Sequence, residues 1–131
     1  MSIDVTMMLR ILLATALGAV IGYQRERAGK AVGLRTHMLI CLGSALFTVV
    51  SIYGFNNAPG IAAGVVTGVG FLGAGAILSN SEGIVQGLTT AASIWTTAAI
   101  GLAAGTGFYL VSVVAALLAL LVLMIHPRIA R

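Results

Sequence analysis

The sequence predicts an all-α integral membrane protein, a bundle of about five transmembrane helices packed closely through glycine. Three observations carry that prediction. Hydrophobic residues make up 60% of the 131 positions and charged residues only 8%, the mean hydropathy is +1.11, and apolar stretches recur near the ~20 residues that a spanning helix needs. A soluble domain requires more polar surface than this composition supplies. Val and Ile are plentiful, but the strict alternation of a membrane barrel is absent and Ala, Leu and Gly dominate, so the stretches read as helices. No charged linker or low-complexity tract divides the chain, and residues 1–131 read as a single transmembrane domain.

The first span, 4–23, follows Ser2 and Asp4 rather than a basic segment, and Gly22-Tyr23-Gln24-Arg25 stands where a signal peptide would need small residues, so it reads as a retained helix. Ala14, Gly18 and Gly22 form a small-residue ridge suited to helix contact. Arg10 precedes the basic first loop by the run Ile11–Tyr23, about 20 Å of helix. A ~30 Å hydrocarbon core therefore draws it into or near the apolar layer. There it either snorkels to the interface, pairs with carbonyls of the glycine-rich third span, or faces a cavity. The group Gln24-Arg25-Glu26-Arg27 closes the span as an interfacial anchor for anionic lipid, at about 1 kcal/mol per basic residue.

The second span, 36–54, carries His37, Cys41, Ser44, Thr48 and Ser51 at alternating four- and three-residue spacing, which puts them on one inward face. Cys41 is the only cysteine, which excludes an intrachain disulfide. The third, 61–78, has Gly64 and Gly68 as a second ridge. Its run from Gly68 to Gly75 matches the dinucleotide fingerprint, but that motif needs a preceding strand and an acidic residue about 20 positions on, neither of which is present. The glycines imply close helix contact or a locally unwound backbone. The fourth span, 88–104, repeats hydroxyls at Thr89, Ser93 and Thr96, with Thr90 and Thr97 beside them, and Trp95 is expected to fill packing space. Only Gly101, Gly105 and Gly107 punctuate the passage to the fifth, 106–125, so a count of four with one long final hairpin is the alternative. The two hydroxyl stripes serve either helix packing or a narrow hydrated path.

Arg25, Arg27, Lys30 and Arg35 crowd the first loop and Arg128 and Arg131 follow the last span, while the loop 54–60 is uncharged. Five spans put both basic regions on one side. The positive-inside rule makes that side cytoplasmic and leaves the N-terminus outside. No nucleophile–base set, zinc-protease helix, P-loop or carboxylate pair is visible, which argues against a conventional enzyme, and no cofactor or nucleic-acid partner is expected.

Arg10-Ile-Leu-Leu-Ala14 running into Gly18-Ala-Val-Ile-Gly22, then Arg25-Glu26, Gly33-Leu-Arg-Thr-His37, the Gly68–Gly75 run, and Gly87-Leu-Thr-Thr-Ala-Ala-Ser-Ile-Trp95 resemble the MgtC/SapB family of bacterial membrane proteins. The resemblance covers about Arg10 to Gly107 and looks like a short form without the C-terminal soluble domain of longer members. It implies a bacterial inner-membrane protein linked to magnesium limitation and, in some members, to survival in host cells. Members are described both as magnesium transporters and as regulators of other membrane machinery such as the ATP synthase. On that basis the expected function is a regulator that binds other membrane proteins, with transport of Mg²⁺ or another small solute as the alternative. Expected partners are lipid, a second copy of the chain, and another membrane complex. Candidate functional residues are Arg10, Gln24, Arg25, Glu26, Arg35, Thr36, Thr67, Gly70, Gly73, Thr89, Thr90 and Trp95, with Glu26 the weak candidate for a metal. The family pattern is not complete: Gln24 replaces a usual first carboxylate, Asn57 and Gly60 stand where charges are common, and Thr89 fills a position open to Asn or Thr.

Overall fold

The structure, a computed structural model, describes residues 2–79, 83 and 85–125. It contains five helices: α1 (Ile3–Arg27), α2 (Leu34–Gly54), α3 (Pro59–Ala76), α4 (Leu88–Thr106) and α5 (Tyr109–Leu123). The first four are long and apolar enough to cross a membrane. The 15 residues of α5 extend about 22 Å at 1.5 Å per residue. Arg128 and Arg131, the basic residues after the last span, lie outside the described residues, as does Glu82.

Local chemistry sets the boundaries. The Ser2 hydroxyl accepts the Val5 N–H at 3.2 Å and starts α1, and Pro59 occupies the first turn of α3, where its missing N–H costs nothing. Between α4 and α5, Gly107 adopts φ +91° while the Phe108 N–H returns to the Ala103 carbonyl at 2.9 Å, a left-handed glycine closure that reverses the chain at once. The third span ends at Ala76, two residues short of the sequence expectation. Beyond it, β1 (Leu78–Ser79) and β2 (Val85–Gln86) form a two-residue antiparallel ladder before α4 begins.

The centre of the bundle is α2 held between α1 and α4. A Cβ on Gly18 would fall 2.7 Å from the His37 carbonyl oxygen, and one on Gly22 would fall 2.8 Å from the Leu34 Cα. On the opposite side, a Cβ on Gly105 would fall 2.8 Å from the Ala45 carbonyl oxygen, and Gly101 sits against the Cys41 carbonyl. Backbone-to-backbone approach of this kind is how helices associate in lipid, where the apolar effect between them vanishes. Ala14, Ile21, Cys41, Ala45, Ile100 and Ala104 fill the remaining core. Large apolar side chains such as Leu12, Phe47, Phe71 and Leu110 turn outward, as a lipid solvent favours.

The glycines of α3 behave differently from the expected ridge. The helix is continuous from Pro59 to Ala76, without an unwound break. A Cβ on Gly64, Gly68, Gly70 or Gly75 would meet nothing beyond its own stretch of helix within 4 Å, and in this run only one on Gly73 would reach a neighbour, Ala91 of α4. The close packing that the sequence predicts at Gly64 and Gly68 occurs instead at Gly101 and Gly105, whose place in the sequence suggests only a break between spans.

Candidate polar site at one end of the bundle

Four polar side chains of α1 reach the ends of α2, α4 and α5. Helix termini leave N–H and C=O groups without intrahelical partners, which side chains from a neighbouring helix can satisfy. Glu26 Oε1 accepts the Leu34 N–H at 3.4 Å, putting a carboxylate on the first turn of α2. Gln24 Nε2 donates to the Leu123 carbonyl at 3.4 Å, on the last turn of α5. At the opposite end of α1, Arg10 Nη1 donates to the Gly105 carbonyl at 3.2 Å and Nε to the Tyr109 hydroxyl at 3.4 Å, while the guanidinium lies 5.6 Å from the Tyr53 ring centroid. A cation belongs there, because the C-terminus of α4 carries partial negative charge. The carbonyl that Arg10 finds is therefore on α4, not on the glycine-rich α3.

Arg25 is the exception. Its side chain is 3% exposed, Nη2 donates to Thr90 Oγ1 at 2.8 Å, and Nε has no partner among the described residues. Thr90 lies in the first turn of α4, so a buried cation that the C-terminal end of its own helix α1 favours also stands beside the N-terminus of α4, where its sign opposes that of the dipole. Next to it, His37 Nε2 is 2.9 Å from Ser93 Oγ and Nδ1 is 2.8 Å from the Gly33 carbonyl oxygen. A carbonyl only accepts, so Nδ1 carries the proton in that contact. The Ser93 hydroxyl also lies 2.7 Å from the Thr90 carbonyl oxygen. Arg25, Thr90, Ser93 and His37 thus tie α1, α2 and α4 together at the end that carries the basic loop.

Of the candidate residues, the structure gathers Gln24, Arg25, Glu26 and Thr90 at this end, with Thr89 exposed on the adjoining turn. Arg35 and Thr36 are exposed at the start of α2, and Thr36 edges a groove of about 820 Å³ between α2 and α3 whose wall includes Phe47, Gly64, Val65 and Gly68. Gly70, Gly73 and Trp95 come together along a cleft of about 300 Å³ between α3 and α4. Trp95 is 56% exposed there; Thr90, Ile94, Thr97 and Gly101 occupy the buried side of α4 and leave the indole outside, contrary to the expected packing role. Thr67 is exposed on α3, and Arg10 is remote from the cluster.

The second-helix stripe is buried as expected, from His37 to Ser51, but on α4 the buried line is Thr90, Ser93 and Thr97 rather than Thr89 and Thr96. These hydroxyls bond to protein: Ser44 to the Ala98 carbonyl at 2.6 Å across the interface, Thr48 to Ser44 and Thr97 to Ser93 within their own helices. His37 and Ser93 were legible as stripe members. Tyr53 and Tyr109 gave no signal, since their approach to Arg10 depends on chain reversals far apart in sequence.

Long apolar helices joined by glycine-mediated contacts, with large apolar side chains turned outward, define a multi-pass α-helical membrane protein. The MgtC family profile matches residues 11–131, and the chain belongs to that family. It is 48% identical to YhiD of Escherichia coli K12 over 131 aligned positions, covering 92% of this chain and 60% of YhiD. It is 41% identical to SapB of Bacillus subtilis strain 168, covering 82% of this chain and 50% of SapB. With MgtC of Salmonella typhimurium LT2 the identity is 46%, over 76% of this chain and 43% of MgtC. The chain thus spans about half the length of the curated relatives it matches. No solved structure matches it.

Proposed function

We propose that the protein is a non-enzymatic regulator in the bacterial inner membrane that binds other membrane proteins through helix contacts in the plane of the bilayer. One observation carries the reading: α3 turns Gly60, Gly64 and Gly68 outward, where an added Cβ would meet nothing within 4 Å, the last two along the groove it forms with α2. A glycine row facing only lipid sacrifices helix stability for no contact, whereas the same row against a partner helix permits close approach. The same face is available to a second copy, and the ATP synthase is a candidate complex through the family resemblance. The hydroxyl stripes support this reading because their bonds go to protein groups. Among the described residues, no group of three or more His, Cys, Asp or Glu could hold a metal ion.

Transport is the second reading. The relative YhiD has a name that proposes it as a magnesium transporter, and an ion kept mostly hydrated needs few protein ligands. The two separate in one comparison. A photo-crosslinking residue at Gly68 is expected to trap a discrete membrane-protein partner that one at Leu117, on exposed α5 surface, does not, while purified protein moves no Mg²⁺ into liposomes above empty vesicles. Mg²⁺ flux without a position-specific crosslink would transfer the assignment to transport.

A further inference from the structure

The basic end of the bundle contains two helix N-termini, and the chain treats them oppositely. At α2 the N-cap is Gly33, which has no side chain to offer, and Glu26 supplies the missing acceptor. At α4 the N-cap is again a glycine, Gly87, without a side-chain hydrogen bond. The N–H groups of Leu88, Thr89 and Thr90 have no intrahelical acceptor by helix geometry. No described carboxylate answers them; the side chain brought to this turn is the buried Arg25, its Nη2 on Thr90 and its Nε unpartnered. A buried cation and the positive end of a helix dipole repel, and both are stabilised by one negative group placed between or before them. Leu88 and Thr89 are exposed, so the turn is open from outside, and the Thr89 hydroxyl is a further donor.

We propose that the first turn of α4 is an oxyanion-binding site, with Arg25 as its buried counter-charge, for a phosphate group from either an anionic lipid headgroup or a soluble phosphate. Both sources offer the same chemistry: several acceptor oxygens and a charge that suits a helix N-terminus. Arg27, Lys30 and Arg35 are exposed at this end and raise the local anion concentration without forming the site.

The test uses the full chain. In one arm, protein is taken from nanodiscs of phosphatidylcholine with phosphatidylglycerol, and retained lipid is read by native mass spectrometry. In the other, inorganic phosphate is titrated into detergent-solubilised protein and thermal stability is followed. Retained phosphatidylglycerol identifies the lipid source, and a saturable stabilisation by phosphate identifies the soluble one. Arg25→Gln is expected to weaken whichever binding is seen by roughly tenfold or more, the effect of one charge-assisted hydrogen bond. Should that variant fail to fold, Thr89→Asp places a carboxylate on the exposed turn, where it favours the helix, and is expected to fold and lose the anion. Arg27→Gln, at an exposed position, is expected to retain it. Binding of neither probe overturns the proposal, and so does an equal loss in Arg27→Gln and Arg25→Gln, which marks diffuse attraction by the loop. Glu82→Gln is the control for a carboxylate supplied by the chain: binding that emerges only in that variant also overturns the assignment of an external anion.

Discussion

Arg10 shows how one side chain joins three elements. It donates to a carbonyl at the end of α4 and to a hydroxyl at the start of α5, and it lies over an aromatic ring at the end of α2. Gly107 is required twice over: it takes a left-handed φ, and a Cβ there would fall 2.8 Å from Arg10 Nη2. Arg10→Gln is expected to lower stability by about 1.5 kcal/mol, the range for a hydrogen bond from a charged donor, with the loss read by denaturant or thermal unfolding in detergent. Gly107→Ala is expected to cost at least as much, because strain at positive φ adds to displacement of the guanidinium. By contrast, Ser44→Ala removes an interhelical bond to Ala98, and such bonds average about 0.6 kcal/mol in membrane proteins. A larger loss for Ser44→Ala than for Arg10→Gln would reverse this ranking. That Arg10 would need partners was legible from its distance to the basic loop. Its partners were not, since spacing along α1 says nothing about which helix end folds back over it.

At the scale of the helix, glycine has two uses that look alike in sequence. Gly18, Gly22, Gly101 and Gly105 allow backbones to touch, while Gly64, Gly68 and Gly70 face open space. Count and spacing revealed that close packing would occur and named one of its ridges correctly, on α1. They misassigned the other, because a small-residue period does not say which neighbour lies across from it, and α2 happens to contact α1 and α4 far more than α3. The inward face of α2 was readable for a firmer reason: five polar positions at helical spacing leave only one low-energy direction in lipid. The two classes of glycine separate under substitution. Gly101→Ala and Gly105→Ala are expected to destabilise the isolated chain by about 1–3 kcal/mol through overpacking. Gly64→Ala and Gly68→Ala are expected to be neutral or to stabilise it by up to about 1 kcal/mol through helix propensity. Parallel unfolding curves of the four variants in detergent test the contrast, and loss of stability in all four would place α3 inside the core instead.

Across the whole molecule, the ends of the bundle differ in charge. The connection between α1 and α2 carries Lys30, flanked by Arg25, Arg27 and Arg35, whereas the connection between α2 and α3 is Phe55-Asn56-Asn57-Ala58, without charge. If each of the first four helices crosses the bilayer, these two connections lie on opposite sides, and the positive-inside rule assigns the basic one to the cytoplasm. The anion site inferred at α4 would then face the cytoplasmic leaflet, whose anionic lipids attract basic segments, while Arg10 would sit toward the outer face. Single cysteines decide the matter cleanly, because the native Cys41 is fully buried and should remain silent. With a membrane-impermeant maleimide on intact spheroplasts, Phe55→Cys is expected to label at once and Lys30→Cys only after permeabilisation. The reverse pattern would invert the orientation, and labelling of both from outside would mean that α2 does not cross. In either case the internal bonds of the bundle would stand, but the side of the membrane from which an anion reaches Arg25 would change.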